Sequence, residues 1–267
     1  MSNNGAYKRA DIEHSLQLSK PTRFAVQDVE QLATNNIIAS PSRTTYGSHS
    51  NSPNSPIGLT LTLTTLLNDA TYKAHLLNTA SASETDKLDS RAVHDAFIVF
   101  GYRLQAVSPL FSGTIGPAIA GGMGTIEQAV YFGLQAFVGS FLWGGGSGNV
   151  KRAPLRWPAG SVRAVTHQIS AHAISGGLGQ GSKERREKEV VLWMLFIGVA
   201  ADVVEPGDMD CWVVPRTGDV LSVLGLEVWE SVVRVLERFP WVDVLHGRHG
   251  LLHFERSRAL ISGSRHN

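Results

Sequence analysis

The sequence predicts an all-α protein, an irregular multi-helix bundle, and three observations carry that prediction. In most patterned segments the apolar residues return every three or four positions rather than in alternation. Proline and glycine clusters fall between those segments. The run Val190–Ala201 is apolar on every side, which suits a helix buried all round. No period of solenoid length is present.

In chain order, residues 1–56 are expected to be a disordered tail or linker. They are polar, and the Ser-, Asn- and Pro-rich stretch from Ala39 to Pro56 has too few apolar groups to offset ordering entropy. Val26–Ala33 carries a weak helical pattern. The folded domain is expected over residues 57–267.

Leu59, Leu61 and Leu63 alternate with threonines, which favours a strand if read alone. The stripe continues through Leu66, Leu67, Ala70, Ala74 and Leu77, which favours a helix. Thr79 to Asp89 is polar and reads as a loop. Val93, Phe97, Phe100, Gly101 and Leu104 form the next apolar face, with Arg91, Asp95 and Arg103 off it and Pro109 ending it. After a small-residue loop, Thr125 and Gln128 read as a capping box, with Glu127 near the positive end of the helix. Its face is Ile126, Val130, Gly133, Phe137 and Phe141, and Gly144–Gly148 stops it.

Pro154 and Pro158 mark a turn, and Ser161–Ile174 resumes with Val162, Val165, Ile169 and Ala173 inward. Gly176–Ser182 breaks the chain before a long helix over Lys183–Val203. Asp208–Leu224 reads as helix interrupted at Pro215, with Thr217 capping a restart and Gly225 ending it. Trp229, Val232, Val233, Leu236 and Phe239 follow as one face, and Pro240 stops that helix. His246–Gly250 reads as a turn, leading to a short last segment over Leu251–Leu260.

Composition excludes several classes. Twenty-four basic and 23 acidic residues leave a net charge of +1, so no global field draws the chain to nucleic acid or acidic lipid. The single cysteine, Cys211, allows neither a disulfide framework nor a multi-cysteine zinc site within this chain. The first nine residues lack an apolar signal region. Val190–Ala201 reaches Asp202 before the roughly 20 apolar residues a spanning helix needs, so no membrane partner is expected.

Candidate chemistry is sparse. Gly177-Leu-Gly-Gln-Gly181 and Gly121-Gly-Met-Gly124 have neither the preceding strand nor the spacing of a dinucleotide loop, and flexible connection explains them. His246, His249 and His253 match a helical face by number, but Gly247 and Gly250 interrupt it and no acidic partner accompanies them. His167 and His172 diverge around a helix. Ser140 and Ser147 miss the nucleophile-elbow pattern. Cys211 beside Trp212 is expected in an apolar, inert setting, and Glu205 with Asp208 at a solvated helix exit. Lys183, Arg185, Arg186 and Lys188 alternate with Glu184, Glu187 and Glu189, which cancels attraction to phosphate and suits pairs such as Glu184 with Lys188. No catalytic, cofactor-binding or metal residue is assigned, and no cofactor is expected.

One region carries a family pattern. Val191–Ala201, Cys211-Trp212, Leu224-Gly-Leu226, Val228-Trp-Glu230 and Val235-Leu-Glu-Arg-Phe-Pro-Trp241 together resemble the helical regulatory domain of fungal zinc-cluster (six-cysteine) transcription factors. Arg91–Pro109 and Ile126–Trp143 look like that family's earlier amphipathic helices. The chain departs from the family in lacking the cysteine-rich DNA-binding module. It also carries Val228 where a capping serine is usual and Phe254 where tryptophan is frequent.

The resemblance implies a non-catalytic regulatory domain in the nucleus. It would contact transcription coregulators or a related transcription factor, and would not bind nucleic acid by itself. It names no small-molecule effector. The residues alone leave open a helical small-molecule-binding protein or an enzyme.

Overall fold

A computed structural model describes residues 8, 11, 12, 15, 59–83, 88–107, 124–143, 156–174 and 181–264, the side chains of 143, 159, 170–174 and 262–264 excepted. Every regular element among them is helical, as the periodicity predicts. The helices are α1 (Leu61–Ala82), α2 (Ser90–Ala106), α3 (Thr125–Trp143), α4 (Ala159–Ile174) and α5 (Gly181–Ala200). A short turn (Pro206–Asp208) and a π-helical segment (Met209–Val213) then lead into α6 (Val214–Leu224), followed by α7 (Trp229–Leu236) and α8 (Asp243–Ser264).

Two helices organise the bundle. α3 and α5 pack on each other; α3 also gathers α1, α2 and α4, while α5 gathers α4, α6, α7 and α8. The sequence of α5 explains its place. Its first turns are charged and reach solvent, whereas Val190 through Ile197 are each at most 1 % exposed. A helix apolar on all sides is stable only when neighbours cover every side. Glycine makes the α3–α5 approach close: Gly133 lies directly under the Trp193 ring, where a Cβ would overlap it. Trp193 also stacks on Phe239 at 5.3 Å and donates its indole N–H to the Pro240 carbonyl at 3.0 Å.

The tail expected over 1–56 is corrected at four positions, and the rest of it, Val26–Ala33 included, lies outside the described residues. Lys8, Asp11, Ile12 and Ser15 are helical and pack on α2. Ile12 is fully buried beside Gly101, and Tyr102 Oη lies 2.7 Å from Asp11 Oδ2 and 3.1 Å from the Lys8 carbonyl. A single isoleucine in a polar stretch is a weak signal for docking.

Several helix ends differ from the sequence reading. α1 runs on to Ala82, past the expected loop start at Thr79, and the Thr79 and Ser81 hydroxyls donate to the His75 and Asn78 carbonyls within it. Asp89 caps α2 by accepting from the Arg91 N–H at 3.0 Å. The box at α3 is shifted by one residue. Gly124 occupies the cap, and Glu127 rather than Gln128 folds back to accept its N–H at 3.0 Å. The other Glu127 oxygen accepts from the Thr60 N–H, so one carboxylate holds the starts of both α1 and α3.

Pro215 does not interrupt the helix. The wider π turn just before it absorbs the missing donor, and α6 continues to Leu224. Thr217 is no cap; its hydroxyl donates to the Val213 carbonyl inside the helix. Gly225 adopts φ 68°, and the Leu226 N–H bonds to Leu221 O, closing α6 in a Schellman turn. Val228 takes the cap position of α7 with no side-chain bond, as its apolar side chain implies.

The expected turn over His246–Gly250 is instead part of α8, which spans 22 residues. Gly250 is there for space, not for bending. A Cβ on it would lie 2.9 Å from both Trp229 Cη2 and Trp241 Cη2.

Candidate functional site

The continuity of α8 puts His246 and His253 on one buried face, and each meets a hydroxyl. His246 Nε2 lies 3.0 Å from Ser140 Oγ on α3, and His253 Nε2 lies 2.9 Å from Thr217 Oγ1 on α6. The structure thus joins Ser140 and His246, which the sequence offered separately. A serine beside a histidine is the raw material of a nucleophile, so protonation decides what the pair can do.

Backbone geometry fixes the tautomer. The Val242 N–H donates to His246 Nδ1 at 3.0 Å, so Nδ1 is bare and the ring proton sits on Nε2. Nε2 therefore donates to Ser140, and the serine hydroxyl donates a hydrogen bond to the Phe137 carbonyl at 2.7 Å. A general base needs the opposite arrangement, with bare Nε2 facing the hydroxyl and Nδ1–H held by an acceptor. Burial, aided by the charge of His249, also pushes His246 down to about 3. Phe137, Phe141 and Trp241 ring it, so a charged imidazolium has no solvation. The pair is a relay of hydrogen bonds that ties α8 to α3.

His253 follows the same logic. Thr217 donates to Val213, so its oxygen accepts from His253 Nε2–H, and the bare Nδ1 is buried without a hydrogen-bond partner. Burial first, and Arg256 second, bring this histidine down to about 4. Phe196 packs edge-on against the ring at 5.1 Å. His249 is exposed, so the three histidines do not converge, and the described residues contain no group of three or more metal-ligating side chains.

The remaining candidates scatter. Residues 121–123 and 177–180, with their glycines, lie outside the described residues, as do Ser147 and the side chain of His172; His167 is exposed. At Gly124 the backbone N–H at the helix start is already taken by the Glu127 carboxylate, which sets a negative charge where a phosphate would have to sit. Cys211 corrects the expectation of an apolar setting, because the π turn rotates it to the surface while Trp212 turns inward. Glu205 does not pair with Asp208; it meets Arg156 Nε at 3.4 Å. Arg156 also donates to the carbonyls of Asp202 and Val204, both at 2.8 Å, and so holds the left-handed Asp202 (φ 53°).

Along α5 the charged pairs form at Lys183–Glu187 and Arg185–Glu189 instead of Glu184–Lys188. Glu189, only 3 % exposed, is the group that sequence reading missed. Both its oxygens accept from Arg238 Nη1 at 3.0 Å, and Oε1 also from Arg185 at 3.3 Å, tying α5 to the end of α7. Its position directly before an apolar run was the available signal. Asp69 with Lys73 and Arg103 forms a second buried charged cluster, between α1 and α2, with Lys73 over the Phe100 ring at 5.8 Å. Desolvation lowers the Lys73 pKa, against the opposing pull of Asp69.

No helix among the described residues is long and apolar enough to cross a membrane. Among the described residues, the Ser140–His246, Thr217–His253, Glu189–Arg238 and Asp69–Arg103 contacts each join separate helical segments. No family model matches the chain, and no curated protein or solved structure is detectably similar to it.

Proposed function

We propose that the chain is a regulatory, protein-interaction domain of the kind found in fungal zinc-cluster transcription factors. It acts in the nucleus through transcription coregulators or a related transcription factor, has no catalytic role, and does not bind DNA by itself. One observation supports this reading. The residues that carry the resemblance touch one another: Trp193 stacks on Phe239, Trp229 and Trp241 close over Gly250, and the Leu224-Gly-Leu226 turn ends α6. The large apolar positions of that pattern therefore meet in the core, while Cys211, Val228, Glu230, Glu237 and Arg238 face solvent. The mixed charges opening α5, partly consumed by pairing with one another, support the absence of direct DNA contact.

The test is a tethered reporter. The full chain, fused to a heterologous DNA-binding domain in a yeast host, is expected to raise or lower reporter output relative to that domain alone. The chain without the fusion should collect in the nucleus and should not shift duplex DNA in a gel. Unchanged output together with exclusion from the nucleus would sink the reading.

A further inference from the structure

The outer face of α8 carries more exposed large apolar side chains than any other described helix. Of the nine exposed large apolar residues among the described ones, five lie on α8, including Val244, Leu245, Leu251 and Leu252. Between them stand two exposed charges, Arg248 and Glu255. Residues seven apart on a helix lie within about 20° of one line and about 10.5 Å apart along it. Arg248 and Glu255 therefore run down the middle of the stripe, with Leu251 and Leu252 flanking the midpoint. Neither charge has an ion-pair partner among the described residues, although Arg256 on the same helix pairs with Asp210.

We propose that this face binds a second copy of the chain, α8 against α8, antiparallel about a twofold axis passing between Leu251 and Leu252. That arrangement sets Arg248 of each copy level with Glu255 of the other, giving two symmetric ion pairs. It also brings the central leucines of each copy against their own counterparts. A parallel pairing would set like charges side by side and loses this complementarity. The stripe is self-complementary in charge under one symmetry operation, and an isologous dimer requires that property of its surface. A single helix pair is small for a specific interface, so the dimer exchanges with monomer at concentrations on the order of 10–100 µM.

Sedimentation equilibrium of the full chain over that range tests the proposal, with charge reversal as the decisive comparison. The wild-type chain is expected to dimerise. Arg248→Glu alone and Glu255→Arg alone should each weaken the dimer about tenfold or more, because each turns two attractive pairs into repulsive ones. The double reversal Arg248→Glu with Glu255→Arg should restore it, since the pairs reform with signs exchanged. Leu252→Asp should abolish it. Helical circular dichroism and melting of each variant should match wild type, as all these side chains are exposed. A wild-type chain that stays monomeric throughout would overturn the proposal. So would a dimer indifferent to the single reversals, or a double reversal no better than either single one.

Discussion

His246 Nε2 donates to Ser140 Oγ at 3.0 Å, and the serine hydroxyl in turn donates to the Phe137 carbonyl, joining the first turn of α8 to α3. Ser140→Ala should leave a buried ring N–H unpaired and lower stability by about 1–3 kcal/mol, read from the urea midpoint. In the wild-type chain a fluorophosphonate probe should leave Ser140 unlabelled. Stoichiometric labelling would show that the tautomer is reversed.

The two buried histidines make stability depend on pH in one direction. Folded values near 3 and 4 stand against about 6.5 in the unfolded chain. Above pH 6.5 neither state binds these protons, and stability is complete. Below it the unfolded chain takes up two protons that the folded chain refuses, and the loss at pH 5 is about 2 kcal/mol per histidine. Urea midpoints should fall steadily from pH 7 to 5, and His253→Gln should roughly halve that slope. A flat profile in wild type contradicts the burial argument.

Glu189 sits in the core with its charge balanced by two arginines that lean in from solvent. Arg238→Met should leave the carboxylate underpaired and cost about 2–4 kcal/mol. Adding Glu189→Leu to that variant should recover most of the loss, because the buried charge goes with its partner. Chemical denaturation of the single and double variants measures both steps.

Replacing glycine by alanine inside a helix ordinarily stabilises by about 0.5–1 kcal/mol. Gly160→Ala should behave that way, since nothing lies within 4 Å of its new methyl. Gly250→Ala should do the reverse, by about 1–3 kcal/mol, as two indoles must move. Thermal melts of the two variants should shift in opposite directions.

Helix existence was legible in the sequence because helical periodicity reports one face at a time. α5 was legible for a different reason, its unbroken apolar run from Val190. What the pattern hid was the reason for particular small and polar residues. Gly247 and Gly250 read as breakers, yet tertiary contact with Trp229 and Trp241 overrides the local preference at Gly250. Pro215 read as an interruption, yet a π turn accommodates it. Ser140 and His246 are 106 residues apart, and no local spacing announces such a pair. The same holds for Glu189 and Arg238, which are 49 apart.

Among the described residues, three glycines are seats for indole rings: Gly133 for Trp193, Gly198 for Trp157, and Gly250 for Trp229 and Trp241. Each seat makes two distant positions one inherited unit. A lineage cannot exchange the glycine while the ring remains, but it can shrink the ring first and then fill the space. Substitutions in descendants of this chain should therefore appear in that order, with the tryptophan replaced before the glycine.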